Sequence, residues 1–205
     1  MIALNADKKK ALEELIKEYG IVVSHEPIKL SSGKETHHYY DIKPAILRPK
    51  GLKLVGELGI EVAGALGAKS VGGLESGAIP IATAIARESE NALHPMAAFF
   101  VRKNQKQYGL KKFTEGCDIV SPALIVDDVI TTGSSTMKAV EEVRKSEGQI
   151  AGILAVVDRE EGAAELFKEK GIRFFSIFTH SNFKDHIEKK LDSFRKNAET
   201  YLSSA

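Results

Sequence analysis

Apolar and polar positions along this chain fall into blocks that switch between helical and strand periods. Ala11, Leu12, Leu15, Ile16 and Tyr19 recur at helical spacing, which predicts a first helix capped by Asp7 and stopped at Gly20. A turn at Ser31, Ser32 and Gly33, with β-favouring Tyr39 and Tyr40 on the returning arm, predicts a hairpin, a small hood over roughly 20–45. Leu52, Val55, Leu58, Val62 and Leu66 share one face of a helix over 49–66, with Pro49 in its first turn. Short apolar runs at 70–74, 96–101, 123–126, 150–157 and 173–177 then alternate with helical stretches at 79–87, 136–145 and 163–170. A charged amphipathic helix from about Asn182 ends the chain. Strands alternating with helices imply one α/β domain over 1–205, a doubly wound, mostly parallel sheet flanked by helices. In such a sheet the ligand lies beyond the carboxyl ends of the strands.

The most informative of those ends is 123–136, ALIVDDVITTGSST. The apolar run is expected to stop on Asp127 and Asp128, an acidic tip, followed by Val129, Ile130, and the small residues Thr131, Thr132, Gly133, Ser134 and Ser135 at a helix start. Backbone N–H groups, the helix dipole and short hydroxyls at such a turn suit a phosphate monoester. The glycine spacing and lysine of a Walker loop are missing, which argues against a nucleoside triphosphatase. Carboxylates beside a phosphate loop suit a sugar phosphate with free hydroxyls, and ribose 5-phosphate meets both requirements. VDDVITTGSS resembles the phosphoribosyl-diphosphate (PRPP) motif of the type I phosphoribosyltransferases.

Further segments narrow the resemblance to orotate phosphoribosyltransferases. The Leu-x-Ser-Gly turn followed by Tyr39, Tyr40 and Asp41 is similar to the hood of that family, whose aromatic arm holds the planar base. Ser31 stands where the family often has a base-contacting lysine, and Lys34 and Lys43 are the nearby candidates to replace it. GLESGAIPIA is similar to the family's pyrophosphate loop, here Glu75, Ser76 and Gly77. Arg102, Lys103, Lys106, Lys111 and Lys112 form a cationic run without apolar periodicity. As a charge run alone it is a solvated loop. Placed between strands, it resembles the family's mobile lid, over roughly 102–116, although Tyr108 replaces the usual histidine. AGILAVVDREEG resembles the segment whose arginine meets the orotate carboxylate, here Arg159, a role suited to a bidentate guanidinium. The plainer alternative for Arg159 is an ion pair with Glu160 or Glu161.

The resemblance implies that orotate and PRPP give orotidine 5′-phosphate and pyrophosphate in de novo pyrimidine (UMP) biosynthesis. Lys106, Asp127 and Asp128 would be the catalytic residues. Arg102, Lys103, Tyr108 and residues 129–135 would join them around PRPP, and Thr131, Arg159, Tyr39 and Tyr40 would contact orotate. Mg²⁺ would arrive on PRPP, with no direct protein ligands, and a homodimer would share the lid across its interface. A purine or uracil salvage transferase would share the PRPP motif but not the hood, lid or Arg159. A PRPP-sensing DNA regulator would need a basic recognition helix.

Composition removes other classes. Lys plus Arg (29) and Asp plus Glu (28) leave a net charge of +1, so no global field favours nucleic acid or a membrane surface. Cys117 stands alone, which excludes an internal disulfide and a cysteine-based metal cluster. The N-terminal residues lack an apolar signal region and no window approaches a membrane span, so a cytoplasmic protein is expected. His37 and His38 have no partner at metal-ligand spacing and are expected to be exposed on the hairpin.

Overall fold

A computed structural model describes residues 2–29, 35–92, 94–104 and 113–203. The helix α1 (Ala6–Tyr19) is capped by the side chain of Asn5, which accepts from Lys8 N, rather than by Asp7. A two-stranded antiparallel hairpin follows, β1 (Ile21–Lys29) and β2 (Glu35–Tyr40), and then a four-residue helix α2 (Lys43–Ile46) that periodicity does not reveal. The remaining elements are α3 (Pro49–Leu66), β3 (Ser70–Leu74), α4 (Ala78–Glu88), β4 (Ala97–Val101), β5 (Thr114–Gly116), β6 (Ala123–Ile130), α5 (Ser134–Lys145), β7 (Ile150–Asp158), α6 (Ala163–Glu169), β8 (Phe174–Thr179) and α7 (Lys184–Ser203).

The main sheet has six strands in the order β5-β4-β3-β6-β7-β8, and only β5 runs antiparallel to its neighbour. From β3 the chain winds outward to β4, and then returns to place β6 on the other side of β3. That reversal is the topological switch point, where the loops after β3 and β6 diverge to helices on opposite faces. Strand alternation sorts the core accordingly. Leu124 and Val126 pack on the side of α1, α3, α4 and α7, with Leu58, Ile81, Ile85 and Ile187. Ala123 and Ile125 pack on the other, with Val140 and Phe167 from α5 and α6; beyond Asp128 the alternation reverses, with Ile130 on this side and Val129 on the first.

Two expectations change here. β6 does not end at Val126: its pairing with β7 continues through Asp127 and Val129 to Ile130. Backbone groups abandoned beside β7 would cost about 1–3 kcal/mol each, and Asp127 and Asp128 find polar partners, so the ladder runs on. The cationic segment is also shorter than expected, because 114–116 form β5 against β4. Three residues are too few to show a strand period. Lys106, Tyr108, Lys111 and Lys112, together with Ser31, Ser32, Gly33 and Lys34, lie outside the described residues. Among the described residues no helix is long and apolar enough to cross a membrane.

Candidate active site

At the switch point, registered pairing of β3 with β6 stops at Gly72 and Ile125. Beyond it, the turn at Glu75, Ser76 and Gly77 lies against the aspartate pair. A Cβ on Gly77 would sit 2.3 Å from Asp128 Oδ1 and 2.9 Å from Asp127 Oδ1, so only glycine lets this turn approach the carboxylates. The turn is tied to the strand beside it: Glu75 N donates to Val101 O, and Glu75 Oε1 accepts from Lys103 N at 2.9 Å. Arg102 is held at the same exit, with Nη1 3.1 Å from Glu115 Oε1.

Asp127 and Asp128 are adjacent in sequence and both bring Oδ1 to the Gly77 turn, but their remaining contacts differ. Asp127, partly exposed, is held on α5: Oδ2 accepts from Thr136 Oγ1 at 2.9 Å and Oδ1 from Asp128 N at 3.0 Å. Burial, reinforced by the neighbouring Asp128, pushes its carboxyl up to about 7. Asp128 turns toward the hairpin, where Oδ1 accepts from Val129 N and Oδ2 meets Lys43 Nζ at 2.7 Å. Burial opposes the charge on Lys43, but the hydrogen bond and charge of Asp128 outweigh it, so the ammonium is raised above its ordinary value.

After Ile130 the chain turns through Thr131, Thr132 and Gly133 into α5. Gly133 has φ of 80°, and a Cβ there would lie 2.6 Å from Phe167 Cζ, so conformation and space both call for glycine. No side chain caps α5, and Thr132 Oγ1 lies 3.2 Å from Ser134 Oγ. The helix start therefore presents N–H groups and hydroxyls to an incoming anion.

At the end of β7, Arg159 N donates to Ile130 O, joining this strand end to the one beside it. The Arg159 side chain is only 11% exposed and pairs with Glu161 Oε1 at 2.7 Å. Its guanidinium lies 5.9 Å from the ring centroid of Tyr40. Tyr40 is buried, and its hydroxyl is 2.8 Å from His180 Nδ1; burial raises the phenol pKa. His38 stacks on His180 with centroids 5.3 Å apart, so of the two hairpin histidines only His37 is exposed as expected. Burial, then the nearby His180, lowers the pKa of His38.

One cleft of about 750 Å³ collects these groups. Thr131, Thr132, Ser134 and Ser135 line one part, Tyr39, Tyr40, Arg159 and Glu161 another, and Lys43, Asp128 and Val129 also border it, but Asp127 does not. Ile130 and Gly133 are buried and act through their backbone. The structure thus brings the hydroxyl loop, Asp128, both tyrosines and Arg159 together, with Asp127 beside them, partly exposed, on Thr136. Lys43, a candidate from sequence for the hood's base-contacting lysine, rests on Asp128 instead, and His180 behind Tyr40 is a residue that the sequence did not point to. For His180, a polar residue just past the carboxyl end of a strand was the available signal. The cleft can hold an anion at the hydroxyl loop, accept hydrogen bonds from a polyol at Asp128, and bind a flat anionic group against Tyr40 and Arg159.

No model of a protein family matches the chain. Whole-chain comparison does find relatives. Orotate phosphoribosyltransferase of Rhodopseudomonas palustris is 45% identical over 161 residues, 76% of this chain and 86% of the relative. That of Aquifex aeolicus is 39% identical over 175 residues, 83% and 94% respectively. The structure is similar to that of Mycobacterium tuberculosis orotate phosphoribosyltransferase in complex with PRPP, with a TM-score of 0.72 and 34% identity, covering 86% of this chain and 99% of the other. Sequence and fold agree with each other and with the cleft, and the chain belongs to the orotate phosphoribosyltransferase family, with the type I phosphoribosyltransferase fold.

Proposed function

We propose the following division of labour for the reaction of this family, in which orotate and PRPP give orotidine 5′-phosphate and pyrophosphate. The observation that carries it is the cleft shared by the hydroxyl-lined helix start, the Asp128 carboxylate and the arginine–tyrosine wall. Residues 131–135 hold the 5′-phosphate, and that binding energy orients the anomeric carbon. Asp128 accepts from the ribose hydroxyls. Arg159 pairs with the orotate carboxylate while Tyr39 and Tyr40 flank the ring.

The bond from C1 to the diphosphate breaks with its electrons leaving on pyrophosphate, and an orotate ring nitrogen forms the new bond as its N–H proton is released to solvent. Positive charge developing on the sugar is favoured by Asp128, and by Asp127 when ionised. The departing anion is met by the turn 75–77 and by Arg102, Lys103 and Lys106. Among the described residues no group of three or more His, Cys, Asp or Glu could cage a metal, whereas Asp128 and the nearby hydroxyls are hard oxygen donors of the kind that suit magnesium carried on a substrate phosphate. When bound with PRPP, Mg²⁺ would face Asp128 and supply charge neutralisation to the diphosphate.

We further propose a cytoplasmic homodimer whose cationic segment serves the neighbour's site. Mixing Lys106→Ala with Asp128→Asn subunits should then restore about a quarter of all sites after exchange, if sites act independently. Activity fixed at the level of the single variants after verified exchange would place the segment in its own site. The reaction itself is tested by following orotate absorbance with PRPP and Mg²⁺. One orotate should disappear per pyrophosphate released, and no loss of orotate under any PRPP concentration would overturn it.

A further inference from the structure

Resting on the reaction proposed above, we infer that Lys43 is a displaceable counter-ion, held on Asp128 while the sugar site is empty and turned toward the acceptor's anionic group when ribose hydroxyls take that carboxylate. Asp127 already uses both carboxylate oxygens internally, on Thr136 and on Asp128 N. In Asp128, Oδ1 accepts from Val129 N, and Oδ2 is the oxygen that Lys43 Nζ meets at 2.7 Å. The oxygen best placed to accept from a sugar is therefore the one that Lys43 occupies.

Lys43 is free to move away. Its side chain is 43% exposed, and Asp41 Oδ1 stands 3.9 Å from the same ammonium, a second anionic partner on the cleft side of the hairpin. It borders the same cleft as Tyr39, Tyr40 and Arg159, so a released ammonium stays beside the acceptor end. Arg159 shows the same arrangement, resting on Glu161 at 2.7 Å. Lys43 and Arg159 are thus each paired with a carboxylate at the cleft.

The consequence is a coupling between two ligands. An acceptor anion that draws Lys43 away by itself leaves Asp128 buried without its counter-ion, which is unfavourable. With the sugar already on Asp128, that penalty disappears. Sugar and acceptor must then tighten each other by the same factor.

The test is equilibrium binding of orotate with and without saturating ribose 5-phosphate, which carries the phosphate and ring hydroxyls but no diphosphate. In the wild type each ligand should tighten the other about tenfold, the scale of one charge-assisted hydrogen bond. Lys43→Met should lose the coupling, while binding ribose 5-phosphate alone no more weakly than the wild type because it has no ion pair to break. Lys43→Arg, which keeps the cation, should retain coupling. In steady state Lys43→Met should raise KM for orotate more than it lowers kcat.

Coupling that survives in Lys43→Met, or is absent from the wild type, would overturn the inference. So would a tenfold loss of ribose 5-phosphate affinity in Lys43→Met, which would make Lys43 a sugar-phosphate ligand. A wild type that turns over orotate with PRPP yet lacks coupling contradicts only the role of Lys43. A wild type that leaves orotate untouched contradicts the reaction.

Discussion

β3 buries all five of its residues and β6 all but Asp127 and Val129, whereas along β2 exposed and half-exposed residues alternate until Tyr40. The loops that would hold a sugar phosphate grow directly from the buried strands. The acceptor end is assembled differently, from side chains of separate elements held by polar contacts: Lys43 on Asp128, Arg159 on Glu161 and Tyr40 on His180. A close-packed sheet fixes backbone positions before any ligand arrives. Half-exposed ion pairs contribute little to stability and exchange partners easily. Rigid backbone should therefore govern the sugar end, and replaceable side chains the acceptor end.

Asp128→Asn should break the first region most deeply. It keeps the volume and removes the charge, and turnover should fall roughly 10²-fold or more, as expected when a preorganised charge is taken from a transition state. Unfolding free energy should change by less than about 1 kcal/mol, because Lys43 can return to water. Steady-state rates beside thermal melts check both, and undiminished turnover would take Asp128 out of the mechanism.

Arg159→Lys should act on the other region alone. An ammonium cannot reproduce the two-point contact of a guanidinium, so KM for orotate should rise about tenfold while KM for PRPP moves little. Equal changes in both constants would show that Arg159 holds the fold through Glu161 and Ile130 instead.

A milder effect is expected from Tyr40→Phe, which removes only the hydroxyl facing His180. The ring remains beside Arg159, so KM for orotate should rise a few-fold and stability fall by about 1 kcal/mol, the net worth of one hydrogen bond. A tenfold change in kcat would mean that the hydroxyl takes part in the chemistry.

A pH-dependent effect on stability separates the two aspartates. The Asp127 carboxyl is raised to about 7 in the fold, against about 3.9 in an unfolded chain, so the native state binds the extra proton. Its stabilising contribution is complete below about pH 4 and is lost as pH rises through 7. Asp127→Asn, neutral at every pH, should match the wild type near pH 4 and become the more stable protein by pH 8.5, by something on the order of 2 kcal/mol. Melting curves across that range decide it, and a difference independent of pH would mean that Asp127 is ionised throughout.

The sequence was most legible where one signal dominates. Pro49 and a regular apolar face ending at Leu66 bounded α3 at the observed residues. The hydroxyl loop, the pyrophosphate turn and Arg159 were legible as chemistry because they sit at strand ends, where side chains are free of the core. What stayed hidden depends on partners far along the chain. β6 runs past its acidic residues because β7 continues beside it, and no property of 127–130 alone says so. Asp127 and Asp128 read as equals, yet the fold gives one Thr136 of α5 as its partner and the other Lys43 of α2. His180 meets Tyr40 across 140 residues, a contact that only the tertiary fold creates.

The most direct test of the central claim is acceptor choice at fixed PRPP and Mg²⁺. Orotate and uracil differ by the carboxylate that Arg159 is proposed to bind, so the wild type should consume orotate and leave uracil nearly untouched. Arg159→Lys should shrink that preference by about tenfold. A wild type that consumes uracil as readily as orotate, or a preference unchanged in Arg159→Lys, would contradict the account.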